Sequence, residues 1–219
     1  MLKGAIFDFD GTLFDSMFVW ENAGEVYLRS LGIEPQEKLA GKINTMSLQQ
    51  SAEYIRGKYA VNLTVNEIIE GINRTVEQFY FNTVQPKPGV IDFLEQLKAC
   101  GVKLCIATAT ARYQIQAALK RCGMDTFFSE IFTCDEAGHG KDEPLIFRKA
   151  LEHLNTSRSD TVVFEDSYYA VKTAKADGFI TAAVYDFYEK SQKELRALAD
   201  FFIEDYIHTD EFMKFASGI

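Results

Sequence analysis

At 219 residues, 47% hydrophobic and 25% charged, the chain has an ordinary globular composition, long enough for one large domain or for a core carrying a smaller one. Its formal net charge of −9, without clustered Lys and Arg, argues against a nucleic-acid-binding surface, since phosphate backbones need grouped cations. Cys100, Cys105, Cys122 and Cys134 lie scattered, with no C-x-x-C pair and no His at ligand spacing, which speaks against a zinc site or disulfide scaffold and for reduced structural thiols.

The chain opens on MLKGAIFDFDG, a single Lys and an apolar run too short for a signal peptide and soon interrupted by acids. No run approaches the roughly 20 apolar residues that span a bilayer. The expectation is a soluble, cytoplasmic protein without a membrane partner. Apolar, β-branched runs of strand length recur at residues 4–9, 102–107, 161–164 and 179–184, with a weaker one at 130–133. Each is followed by a turn signal and a helix-like stretch. That alternation predicts an α/β fold, a Rossmann-like three-layer core with a parallel sheet between helices.

Between the first two strong strands, residues 16–100 contain no convincing strand. Val19, Ala23, Val26 and Tyr27 keep a 3.6-residue spacing, as do Leu48, Ala52, Ile55 and Tyr59, and then Ile68, Ile72, Val76, Phe79 and Tyr80. These spacings predict an inserted α-helical unit over residues 15–86, leaving residues 1–14 and 87–219 as the α/β core. Pro86-Lys87-Pro88-Gly89 suits a hinge or linker, and Val90, Phe93, Leu94 and Leu97 begin a helix that returns to the sheet. The aromatic tail, Phe201-Phe202 and Phe212 to Phe215, is expected to pack into the core.

Ligands of open parallel sheets bind beyond the carboxyl ends of the strands. Those ends read Asp8-Phe9-Asp10-Gly11-Thr12, then Thr108-Ala109-Thr110, then Gly138-His139-Gly140-Lys141 and Glu165-Asp166-Ser167. Several carboxylates in one crevice repel one another unless a cation sits among them, and oxygen ligands of this kind suit Mg²⁺. A phosphoryl group brought to that cation needs further donors. The Thr108 hydroxyl, the Lys141 ammonium and backbone N–H groups near Gly11 are suitable in kind. One carboxylate can then attack phosphorus while another protonates the leaving oxygen and later activates water. His139, a lone histidine beside Lys141, is expected to be an exposed or structural loop residue.

Asp8-Phe9-Asp10-Gly11-Thr12-Leu13, Thr108, Lys141 and Glu165-Asp166-Ser167, in this order and at these intervals, resemble the four signature motifs of the haloacid dehalogenase superfamily. Within it the chain is similar to the helical-cap phosphatase and β-phosphoglucomutase-like branch. The resemblance implies that Asp8 is the nucleophile and a Mg²⁺ ligand, and that Asp10 is the general acid/base and lends its main-chain carbonyl to the metal. It implies that Thr108, Lys141 and the Gly11 region hold the phosphoryl group, and that Asp166 completes the metal site with Glu165 in support. The acid at Asp10 argues for phosphatase over dehalogenase or phosphonate chemistry.

The chain departs from that pattern in three places, the simplest being Ala170 in place of the usual glycine after Glu165-Asp166-Ser167, a change a helix tolerates well. The loop that usually reads Lys-Pro-x-Pro-Asp is Lys141-Asp142-Glu143-Pro144-Leu145, whose added acids either orient the Lys141 ammonium or weaken its hold on phosphate. Where the branch's sugar-phosphate mutases carry a cap arginine for the distal phosphate, alignment puts Asn44, which lacks the charged bidentate fork, with Lys42 nearby as a point charge. The expected function is a Mg²⁺-dependent phosphomonoesterase acting on a small phosphorylated metabolite, as a monomer or small homo-oligomer. A phosphomutase is the nearest alternative. A phospho-accepting receiver-type module is the alternative of another class; there the phosphorylated Asp should follow a later strand.

Overall fold

Six strands, β1 (Gly4–Phe7), β2 (Lys103–Thr108), β3 (Ile131–Thr133), β4 (Thr161–Glu165), β5 (Ile180–Val184) and β6 (Phe201–Ile203), form one sheet in the order β3-β2-β1-β4-β5-β6. Every pairing in it is parallel. The computed structural model describes residues 1–36, 39–43, 46 and 48–219, Gly41 and Lys42 by backbone alone. The sheet establishes the predicted α/β class. Its order places the chain's reversal between β1 and β4, since β2 and β3 build outward on one side of β1 and β4, β5 and β6 on the other. That reversal is where such sheets open a crevice for ligands.

All four residues of β1 are buried, as a strand covered on both faces requires. With a side-chain period of two, Ile6 and Phe7 face opposite layers. Ile6 joins Cys105, Ala107 and Val163 of the neighbouring strands in one core cluster. Phe7 stacks on Phe164 at 4.1 Å between ring centroids on the other side.

Clustering of contacts separates two compact units, residues 1–15 with 84–219 and residues 16–83. The smaller is helical: α1 (Met17–Ser30), α2 (Leu39–Ile43), α3 (Leu48–Lys58) and α4 (Val65–Asn82). Tyr27, Leu28, Ala52, Ile55, Ile68 and Ile72 are among the buried residues of its own core. The three spaced patterns of the sequence became α1, α3 and α4, while the short α2 had no pattern to betray it. Thr64 and Glu67 start α4 with a capping box, the Thr64 hydroxyl accepting from the Glu67 N–H at 3.3 Å and the Glu67 carboxylate from the Thr64 N–H at 2.7 Å. Gly71 of α4 lies flat against Tyr27 of α1: a Cβ there would stand 2.2 Å from the ring. Trp20 Nε1 donates to Tyr80 Oη at 2.7 Å. Asn44 lies outside the described residues, as does the side chain of Lys42.

The larger unit adds α5 (Val90–Ala99), α6 (Arg112–Arg121), α7 (Cys134–Ala137), α8 (Leu145–Leu154), α9 (Tyr168–Ala176), α10 (Gln192–Leu198) and α11 (Asp210–Ser217). Ile146, Phe147 and Ala150 of α8 and Ala170 and Ala174 of α9 cover the Ile6 face. Phe93 of α5 and Phe212 of α11 cover the Phe7 face, their centroids 5.8 and 5.3 Å from Phe164. The aromatic tail therefore packs as expected, contributing both α11 and β6, a strand the sequence reading did not separate. Ala170, where the resembling pattern has glycine, is fully buried in α9.

The Pro86–Gly89 segment is bonded into this unit and is not a loose linker. Asp15 N–H donates to Gln85 O at 3.0 Å, Lys87 N–H to Leu13 O at 2.9 Å, and Phe14 bridges Pro86. Gly89 caps α5 at φ +82°, where a Cβ would meet the Tyr206 backbone at 2.6 Å, so conformation and space both require glycine.

Candidate active site

β1 ends against β4 in a register that sets Phe7 beside Phe164, and the Asp8 N–H continues the ladder to Phe164 O at 2.9 Å. Asp8 therefore emerges beside Glu165 and Asp166 at the sheet's reversal point. All three are buried, and one carboxylate oxygen from each lies within 4.8 Å of the others. Lys141 reaches the same point from the loop between α7 and α8 and is only 4% exposed. Its Nζ donates to Asp8 Oδ1 and to Glu165 Oε1. The second Glu165 oxygen accepts from Ser167 Oγ at 3.0 Å and from Ser167 N–H at 3.3 Å, which fixes that carboxylate between the lysine and the start of α9.

Asp142 and Glu143 are exposed, and the partners of Lys141 are Asp8 and Glu165, so the added loop acids do not orient its ammonium. Glu143 instead faces His139 Nδ1 at 3.4 Å, with both side chains more than half exposed. His139 is thus a loop residue, as expected. Pro144 stands at the N-cap of α8, where its missing N–H costs no helix bond.

Beyond Asp8 the chain turns sharply. Leu13 and Phe14 N–H groups both donate to Phe9 O at 3.0 Å, Gly11 adopts φ +72°, and the Gly11 N–H donates to Phe14 O at 3.0 Å. The Gly11 amide is thereby engaged inside its own turn. Gly11 serves the backbone geometry of the turn, whose neighbouring amides are the phosphate donors expected near it.

Thr108, at the end of β2, is fully buried, and its Oγ1 accepts the Thr110 N–H at 3.1 Å. Thr110 Oγ1 in turn donates to Asp10 Oδ2 at 2.6 Å. Asp10 and Thr108 are thus connected through Thr110, a strand-end residue to which the sequence alone assigns no role.

One ammonium cannot neutralise three buried carboxylates, and the acids show the strain. Burial pushes the Asp8 carboxyl up to about 8 against the pull of Lys141, and the charges of Glu165 and Asp10 add to the rise. Asp166 is raised as well, by burial first and then by Glu165, Asp8 and Asp186. Burial works against the Lys141 ammonium, yet Asp8 and Glu165 outweigh it and hold the group above the ordinary lysine range. This donor set fits Mg²⁺: carboxylate oxygens only, buried, carrying excess negative charge, and close enough together for a small octahedral ion.

Two further residues were not foreseen. Asp186, 3% exposed, follows β5, the strand next to β4, and accepts from Lys87 Nζ at 3.1 Å, while Lys87 also donates to Tyr185 O at 2.6 Å. Reading the end of the 179–184 run as the other strand ends were read would have found it. Tyr206 is 2% exposed with its ring 5.1 Å from Phe93, and its hydroxyl has no partner among the described residues.

A doubly covered parallel sheet with a lysine-bridged acid cluster at its reversal point defines an α/β enzyme core, and residues 16–83 form a separate helical unit inserted after its first strand. Residues 5–184 match the family described as haloacid dehalogenase-like hydrolase, and the chain belongs to that family. It is 26% identical over 177 residues to the phosphorylated carbohydrates phosphatase of Thermotoga maritima, covering 81% of this chain and 82% of that one. It is 28% identical over 184 residues to hexitol phosphatase A of Escherichia coli, covering 83% and 82%. In fold it is similar to the crystal structure of a putative beta-phosphoglucomutase from Thermotoga maritima, with TM-score 0.86 and 23% identity over 97% of this chain and 99% of that one. The receiver-type alternative is set aside, since the family match spans the Asp8 strand and that strand is the first along the chain.

Proposed function

We propose that the chain is a Mg²⁺-dependent phosphomonoesterase acting on a small phosphorylated metabolite, with sugar phosphates first in line, through a phosphoryl-enzyme formed on Asp8. The observation that carries this reading is the cluster itself: Asp8 buried at the end of β1, touched by Lys141 and flanked by Glu165 and Asp166. Asp8, Asp166 and the Asp10 main-chain carbonyl would hold the metal, with Glu165 in support. When bound, the ion supplies positive charge to the phosphoryl oxygens and offsets the excess of carboxylates.

An Asp8 oxygen attacks phosphorus, the ester P–O bond breaks, and the departing alcohol takes its proton from the Asp10 carboxyl. Water then attacks the phosphorylated Asp8, giving its proton to Asp10, and inorganic phosphate leaves with Asp8 restored. The Lys141 ammonium, held charged by its two carboxylate neighbours, and the Thr108 hydroxyl face the transferring group. The helical unit of residues 16–83 is the part in which substrate selectivity would reside, because the core residues above recognise only the phosphoryl end. Curated relatives named as phosphatases of phosphorylated carbohydrates and hexitols support a sugar-phosphate substrate.

A phosphate-release screen over sugar phosphates, phosphoglycolate and nucleoside monophosphates, with Mg²⁺ and with chelator, tests the reading. Turnover of at least one ester only with metal is expected, with activity lost in Asp8→Asn and reduced by about 10²–10⁴-fold in Asp10→Asn. Full activity in Asp8→Asn, or activity indifferent to chelator, would refute it. Isomerisation of glucose 1-phosphate with little phosphate released would replace it with a phosphomutase.

A further inference from the structure

A general acid must present its proton at one place, and a carboxyl on an unrestrained side chain does not. Asp10 follows β1 by three residues, in the turn closed by Gly11, so the strand ladder does not hold it. Thr110 reaches its side chain from the end of the neighbouring β2, with a hydroxyl 2.6 Å from Asp10 Oδ2. Thr110 is itself 5% exposed, and its N–H is taken by Thr108 Oγ1 at 3.1 Å, so its hydroxyl is delivered by a backbone already fixed to the end of β2. The same bond uses Thr108 as an acceptor, which leaves the Thr108 O–H as the group's donor. A single residue thus sets the direction of two others.

We propose that Thr110 is a positioning residue for general acid/base catalysis, its hydroxyl holding the Asp10 carboxyl by Oδ2 in the orientation from which the departing alcohol is protonated. The inference rests on the proposed phosphatase reaction and extends it to a residue outside the signature motifs. It separates two roles at the end of β2: Thr108 addresses the phosphoryl group, and Thr110 addresses the proton. Thr110 acts through Asp10, so in the steps up to departure of the leaving group its contribution appears only when the leaving group needs that proton. An alkoxide leaving from a sugar phosphate needs it, whereas p-nitrophenolate leaves without it.

The test measures kcat/KM, which reports steps through the departure of the leaving group, for wild type, Thr110→Val, Thr110→Ser and Asp10→Asn. The substrates are p-nitrophenyl phosphate and the sugar phosphate turned over fastest in the screen. Valine keeps the shape and removes the hydroxyl. Loss of one hydrogen bond to a charged or ionisable group is expected to lower kcat/KM on the sugar phosphate by about 10- to 100-fold. The same variant should change kcat/KM on p-nitrophenyl phosphate by less than about 3-fold, and Thr110→Ser should recover most of the loss. A merely structural role would depress both substrates together. Equal losses on the two substrates, no loss on either, or serine failing to recover activity overturns the proposal. If Asp10→Asn shows the leaving-group-dependent loss and Thr110→Val does not, only the positioning role falls; if Asp10→Asn shows none, the acid/base assignment falls with it.

Discussion

Removing the Asp8 charge should stabilise the metal-free protein while abolishing turnover, and the size of the effect follows from the burial of the acid cluster. The Asp8 carboxyl is held at about 8 against a reference of 3.8, so the folded state binds its proton across a pH range in which the unfolded chain has released it. A carboxyl raised in this way makes stability fall as pH rises from about 4 to about 8, at up to about 1.4 kcal/mol per pH unit. Asp166 is shifted in the same direction and adds to the slope. The raised Lys141 carries the opposite sign, but its stabilisation is fully present below 10.5 and is lost only above that, so it stays constant through the window. At pH 7 the raised Asp8 carboxyl alone lowers stability by about 4 kcal/mol relative to low pH.

Thermal unfolding in chelator between pH 5 and 8 measures this. Wild type should lose about 3–6 °C in Tm per pH unit, given about 2–4 °C per kcal/mol for a protein of this length. Asp8→Asn should show a shallower slope and a higher Tm than wild type at pH 8. Mg²⁺ at about 100 times its Kd should return about 2.7 kcal/mol to wild type and much less to the variant. A wild-type Tm that is flat or rising from pH 5 to 8 in chelator, or an Asp8→Asn protein no more stable than wild type at pH 8, would refute the electrostatic account of the site.

Three other outcomes are expected. Lys141→Met should abolish phosphate release and cost about 3–5 kcal/mol at pH 8 in chelator, because Asp8 and Glu165 lose the buried cation they share; chemical denaturation compares the two. Asp186→Asn removes a negative charge that acts on Asp166 and weakens the hold on Lys87, so the Mg²⁺ concentration for half-maximal activity should rise several-fold with little change in maximal rate; an unchanged midpoint would show that Asp186 serves only its local bonds to Lys87 and Tyr188. Gly71→Ala forces a Cβ into the Tyr27 ring and should cost the helical unit about 1–3 kcal/mol, seen by calorimetry as an earlier transition of residues 16–83 with the core transition unmoved.

The division between what was legible in the sequence and what was not follows from how a parallel sheet works. Strand positions, the inserted helices and the motif residues announce themselves locally: a buried strand is a run such as AIF or VVF, and an acid at its end stands out because burial there is costly. The partners of those residues do not, since each comes from a different strand end and depends on the strand order. Nothing within residues 4–12 says that β4 lies on one side of β1 and β2 on the other, yet that order puts Glu165 and Lys141 on Asp8 and Thr110 on Asp10. Gly11 shows the converse. As a residue type it suggests an open amide for an anion, but the turn it permits spends that amide on Phe14 O. Asp186 and Lys87 lie 99 positions apart and look like an ordinary turn acid and linker lysine until β5 is placed beside β4. The motifs identify the groups that meet the phosphoryl end of a substrate. The hydrogen bonds that aim those groups, Thr110 to Asp10 above all, come from the order of the strands, so a variant series on the second group tests the fold's contribution to catalysis apart from the motif's.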